Sequence, residues 1–146
     1  MLAMIPKVTL VLAGLAALLN LWLGMRVGQV RRTERVSVGD GGNDRVIRRM
    51  RAHANFAENA PLLILLVLAI ELTVGPSPWL WAATALFVLA RVAHAFGMDG
   101  WGPGRMIGTA LTMALQLALA VWAVALPFTA ARVHDAPPVE AVAPQG

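Results

Sequence analysis

Four apolar stretches, each long enough for a membrane span and separated by short polar segments, dominate the chain. The first covers residues 8–25 and is interrupted only by Thr9, Gly14, Asn20 and Gly24. Only Lys7 precedes it, whereas Arg26, Arg31, Arg32 and Arg35 follow. A cleaved signal peptide carries its charge ahead of the apolar stretch, so this order predicts a retained helix over about residues 5–26 with the amino terminus outside the cytoplasm. A polar connection then runs to Asp44, and its segment Val38-Gly39-Asp40-Gly41-Gly42-Asn43-Asp44 has turn chemistry without apolar periodicity. Asn43 or Asp44 is placed to cap a second, long helix over residues 45–74. That helix carries Arg48, Arg49 and Arg51 in its first section and is expected to kink at Pro61.

Gly75-Pro76-Ser77-Pro78 is a tight, uncharged connection, followed by Trp79 and Trp81, which suit an interfacial aromatic belt at the start of a third helix over residues 78–97. The segment Gly97-Met98-Asp99-Gly100-Trp101-Gly102-Pro103-Gly104 lacks the preceding strand of a dinucleotide fingerprint. It reads as a flexible turn between membrane helices. A fourth helix is expected over residues 104–128, with Thr109, Thr112 and Gln116 as its polar side chains. Residues 129–146, rich in Ala, Pro and Val toward their end, read as a disordered tail. The organisation predicted is one four-helix membrane domain over residues 1–128.

Composition agrees, since 58% of the 146 residues are hydrophobic, 14% are charged and the mean hydropathy is +0.67, too much apolar surface for a soluble fold to hide. The pI near 11.4 does not indicate nucleic-acid binding, because eight of the twelve basic residues fall between Arg26 and Arg51 beside apolar runs. Arg91 and Arg105 flank the third connection and no basic residue lies in the second. Counting short loops this way puts the first and third connections in the cytoplasm and both termini outside, as in a multi-pass protein of a bacterial inner membrane. The absence of cysteine excludes disulfides and thiolate metal sites. With three histidines and no clustered carboxylates, no metal site is expected.

The polar residues inside the apolar helices carry the remaining information, because a charge at a helix centre costs about 2.5–3.5 kcal/mol on insertion scales. Such residues need partners or a purpose. Arg51, Asn55 and Glu58 stand at i, i+4 and i+7, within one stripe of the second helix. Arg91, His94 and Met98 share a stripe on the third, and Arg105 opens the fourth. Taken singly, these are ordinary interface anchors and inter-helix bridges. Together they suit a pocket for a small, multiply charged zwitterion.

At these positions the chain resembles the MAPEG family, the membrane-associated proteins of eicosanoid and glutathione metabolism, in its bacterial form. Arg51-Ala52-His53-Ala54-Asn55-Phe56-Ala57-Glu58-Asn59-Ala60-Pro61 looks like the family's helix-two signature, Ala90-Arg91-Val92-Ala93-His94 resembles its helix-three motif, and Arg105 falls where its catalytic arginine opens helix four. The resemblance covers about residues 5–128. It implies an all-α bundle of four transmembrane helices assembled as a homotrimer in contact with membrane lipids. It also implies a glutathione-dependent transferase or peroxidase that acts on hydrophobic small molecules, with glutathione as co-substrate. Carried over, Arg51, Asn55, Glu58, His94 and Arg91 would hold glutathione, with His53 inside the same signature and Arg31 and Arg32 as a basic pair. Arg105 would stabilise the thiolate. The chain departs from the pattern in having no tyrosine; Met98 stands where family members carry one. The competing reading is a noncatalytic trimer whose polar stripes are structural glue. A small transporter is disfavoured, because the helices lack an internal repeat.

Overall fold

The computed structural model of the chain describes residues 5–134, with side chains described to residue 129. Four helices follow one another: α1 (Lys7–Glu34), α2 (Asp44–Val74), α3 (Pro78–Met98) and α4 (Gly102–His134). Each is long and apolar enough to cross a membrane, so the protein is an integral, multi-pass membrane protein. α3 and α4 pack against each other most extensively, followed by α1 and α2.

Helix ends differ from expectation in two places, for identifiable reasons. α1 does not stop at Arg26 but runs on to Glu34, where Arg35 enters the left-handed region (φ 58°) and its N–H bonds back to Arg31 and Arg32 carbonyls. Between residues 26 and 34 no proline or turn motif interrupts the helix. At 28 residues and about 1.5 Å per residue, α1 is longer than the roughly 30 Å of hydrocarbon, so an end bearing Arg31 and Arg32 projects from the membrane. α4 likewise continues through Pro127 to His134. Proline removes one intrahelical donor there, and Thr129 Oγ1 donates to the carbonyls of Ala125 (3.3 Å) and Leu126 (3.0 Å) in the same turn. The expected tail at residues 129–146 is therefore helical to His134, and residues 135–146 lie outside the described residues. α2 is unbroken through Pro61, and its start is capped by Asn43, whose side chain accepts from the N–H groups of Arg45 and Val46.

The core is built from one stripe of each helix, with Leu12, Ala16, Leu63, Val67, Ile70 and Phe87 among its buried members. Phe56 and Phe87 stack with centroids 6.2 Å apart. Leu18, Leu21, Leu65, Leu89, Leu117 and Val124 are exposed on the outside, as lipid contact requires.

The glycine-rich segment is not the loose turn expected. Only residues 99–101 separate α3 from α4, and the glycines on either side are sites of close helix approach. A Cβ on Gly97 would lie 2.0 Å from Arg105 N, one on Gly104 2.6 Å from the Ala93 carbonyl oxygen, and one on Gly108 2.5 Å from that of Ala90. Gly104 and Gly108, one turn apart, thus give α4 the small-residue face on which membrane helices approach closely.

Glu71 has no counterpart in the sequence reading. It is fully buried near the end of α2, where its carboxylate accepts from Val8 N (2.8 Å), Thr9 N (2.8 Å) and Thr9 Oγ1 (2.7 Å). The first turn of α1 has no side-chain cap of its own, so a residue more than sixty positions away satisfies amides that the bilayer cannot. Charge-assisted bonds of this kind contribute about 1.5–3 kcal/mol each when single. Glu71→Leu is expected to destabilise the protein by about 2–4 kcal/mol, and Glu71→Gln, which keeps one acceptor, by about half that. Thermal unfolding in detergent reads the difference; wild-type stability in Glu71→Leu would show that the cap contributes nothing.

Candidate functional site

Three helices meet at Arg91. Its side chain comes from the second half of α3 and only 2% of the residue is exposed. Nη2 donates to Asn55 Oδ1 of α2 at 2.8 Å and lies 3.3 Å from His94 Nδ1, while Nη1 donates to Thr112 Oγ1 of α4 at 3.4 Å. Because a guanidinium only donates, the His94 contact requires Nδ1 to carry the lone pair. The Thr112 hydroxyl in turn donates a hydrogen bond to the Gly108 carbonyl at 2.8 Å. No acidic side chain pairs with Arg91 among the described residues, and its Nε has no partner. A buried cation is thus held by neutral groups alone, an arrangement that is costly unless an anion joins it.

The remaining candidates surround this centre without touching it. Arg51 and Glu58 are exposed on α2, and neither forms a hydrogen bond or ion pair among the described residues. Arg105 is exposed in the first turns of α4; Gly108, one turn further on, packs against His94, whose Cβ a Gly108 Cβ would approach to 2.6 Å. Arg105 therefore stands one turn from the buried network. Gly102, Arg105, Met106, Thr109 and Ala110 line an open cavity of about 540 Å³ on this face of α4.

On the other side of α2, His53 Nε2 lies 2.9 Å from Asn20 Oδ1, linking α1 to α2. Arg31 is half-buried and directs Nη1 to the Ser37 carbonyl (3.4 Å) and Nη2 to Met50 Sδ (3.5 Å). Arg32 is exposed. The sequence stripe on α2 is thus divided: Asn55 turns inward to Arg91, whereas Arg51 and Glu58 face out. Within one subunit the candidates form no closed pocket.

Sequence reasoning missed Thr112 as a partner of Arg91, although it stands seven residues after Arg105 and four after Gly108, on one stripe of α4. It also passed over Asp99, the C-cap of α3, which joins Arg26 of α1 to Arg49 of α2.

Four apolar helices, three of them tied together by an arginine–amide–hydroxyl network, define a four-span, all-α membrane bundle. The chain belongs to the MAPEG family, whose family model matches residues 9–125. It is thus a membrane protein of the family associated with glutathione and eicosanoid metabolism. A search among curated proteins finds no match.

Proposed function

We propose that the protein is a glutathione-dependent membrane transferase or peroxidase for hydrophobic electrophiles, working as a homotrimer with its thiol site between subunits. The observation that carries the reading is the buried Arg91 guanidinium, which has no acidic partner among the described residues. An anionic end of glutathione would supply the missing charge. Arg51 and Glu58, exposed on each subunit, suit the peptide's remaining charged ends once a neighbouring subunit closes over them. His94, Asn55 and Thr112 hold Arg91 in place; Arg31, Arg32 and His53, on the other side of α2, would join the cleft only from a neighbouring subunit.

In the proposed reaction Arg105 stands beside the glutathione sulfur. Its positive charge favours loss of the thiol proton, and the thiolate then attacks the electrophilic carbon while the leaving group departs with its bonding pair. The electrophile enters from the lipid, along the apolar residues of α4 next to Arg105.

The test is a titration of detergent-purified protein with glutathione. Saturation at about a hundredfold over Kd is expected to stabilise the protein by about 2.7 kcal/mol, seen as a rise of several degrees in Tm, with a trimer observed by native mass spectrometry. A second reading, a noncatalytic trimer, is favoured by one observation: Asn55 and Arg91 are already bonded to each other inside the subunit. An unaltered Tm across millimolar glutathione would decide for it.

The arginine distribution supports placing both termini outside the cytoplasm of a bacterial inner membrane. A reporter fused after Gly146 is expected to be active outside; activity only in the cytoplasm would overturn this orientation.

A further inference from the structure

The corner where α1, α2 and α3 meet holds arginines that the proposed thiol site does not use. Asp99 pairs with Arg26 and with Arg49, whose Nε and Nη2 lie 3.2 Å from its two oxygens. Arg49 Nη1 also donates to the Arg26 carbonyl at 3.1 Å. Beside them Arg45 pairs with Glu34 at 2.6 Å. Arg48 has no ion pair among the described residues, Asp44 one turn earlier included. Three arginines therefore share two carboxylates and the fourth, Arg48, pairs with neither, while a cavity of about 270 Å³ opens among Arg45, Arg48, Arg49, Met98 and Asp99. That volume is close to the lower end of small-ligand sites, roughly 300 Å³.

Arg26 and Arg49 are fixed on one wall of the cavity, whereas Arg45 and Arg48 are exposed at its mouth. Arg26 lies over the Trp22 ring at 4.7 Å and the Phe96 ring at 5.4 Å, contacts that hold a guanidinium in one orientation. Through Asp99 this anchors Arg49 on the cavity wall. The positive character does not come from the amides of α2, because Asn43 already caps Arg45 N and Val46 N. It comes from guanidinium groups, whose planar donors match an oxyanion with several acceptors. The surroundings add the second half of a ligand: Met25, next to Arg26, and Phe96, one turn before Asp99, are exposed apolar residues at the same corner. An interface with excess guanidinium charge above exposed apolar side chains is the setting in which lipid headgroup phosphates are bound.

We propose that this cavity is a phosphate-oxyanion site at the membrane surface, occupied by the headgroup of an anionic phospholipid and held by Arg45, Arg48 and Arg49. Arg48 contributes the unpaired charge, and the Arg26–Asp99–Arg49 chain sets the position of the wall. Although Met98 lies on the cavity wall, none of Arg45, Arg48 and Arg49 is assigned to the thiol site, so the failure of either leaves the other standing.

The full-length protein in neutral detergent is titrated with phosphatidylglycerol, with phosphatidylcholine and, separately, with inorganic phosphate. Bound lipid is counted by native mass spectrometry, and Tm is followed in parallel. Phosphatidylglycerol is expected to bind and raise Tm where phosphatidylcholine does not. Arg48→Gln is expected to weaken that binding about fivefold, equivalent to about 1 kcal/mol for one basic residue near a charged surface. Arg35→Gln removes the same charge outside the cavity and is expected to leave binding unchanged. A rise in Tm with millimolar phosphate, absent in Arg48→Gln, upholds the site and identifies free phosphate as a second source of the oxyanion. Equal losses in the two variants would reduce the effect to diffuse charge and overturn the proposal, as would equal binding of the two lipids without any response to phosphate.

Discussion

Gly97→Ala is expected to lower thiol-transfer turnover by about a hundredfold while leaving most of the glutathione affinity in place. The added Cβ would stand 2.0 Å from Arg105 N, 2.6 Å from Arg105 Cα and 2.6 Å from the Gly104 carbonyl carbon. All three are backbone atoms, so no side-chain rotation relieves the clash. The ends of α3 and α4 must separate, and the displaced residue is the one assigned to the sulfur. Misplacement of a reacting group by about 1 Å costs on the order of a hundredfold in rate, and overpacking of this kind costs about 1–3 kcal/mol in stability. The contrasting substitution is Gly14→Ala, where the added Cβ meets nothing within 4 Å in the subunit. There the better helix propensity of alanine, about 0.5–1 kcal/mol, is expected to leave the protein as stable as wild type or slightly more so. Steady-state kinetics and Tm of both variants check the pair. Full turnover in Gly97→Ala would mean that the position of Arg105 does not matter to the reaction.

Hydropathy alone revealed four helices in order, and the starts and ends of α2 and α3 fall within one residue of expectation because Asn43, Ser77 and the Gly75-Pro76 pair are local signals. The end of α1 was hidden for a physical reason. A helix does not have to stop where the membrane does, and the apolar pattern reports only the membrane. The glycines at 97 and 104 were misread, and Gly108 passed over, because flexibility and close packing use the same residue; which applies depends on what lies opposite, here α3 against α4. In the site, a period of about 100° per residue puts Arg51, Asn55 and Glu58 on one stripe but leaves Asn55 about 60° round from Glu58, at its edge. Asn55 turns inward from that edge to reach Arg91. Glu71 and Asp99 were not legible at all, since their partners are 50 to 73 residues away along the chain and neither belongs to a local motif.

The assignment of chemistry to Arg105 and of binding to Arg51 and Glu58 makes opposite demands on two substitutions. A cation beside a thiol contributes little to binding the neutral S–H form and much to the thiolate, so its removal acts on the reactive state. Arg105→Ala is therefore expected to lower turnover by about ten- to a thousandfold, the range for loss of one charge-stabilising group, with glutathione affinity little changed. Glu58→Ala, which removes a partner for a fixed charge of the peptide, is expected to weaken affinity first. The exposed position of Arg105 makes collapse of the fold an unsuitable explanation for lost activity, and an unchanged Tm in Arg105→Ala would document this. Ultraviolet difference spectra of the glutathione complex near neutral pH supply a readout independent of turnover: the thiolate band is expected in wild type and absent in Arg105→Ala, because without the cation the thiol retains its proton. Gly97→Ala should weaken the same band if its effect runs through Arg105. Equal turnover and an undiminished thiolate band in Arg105→Ala would instead make this arginine an interfacial anchor, and the bundle's polar residues would then be the glue of a noncatalytic assembly.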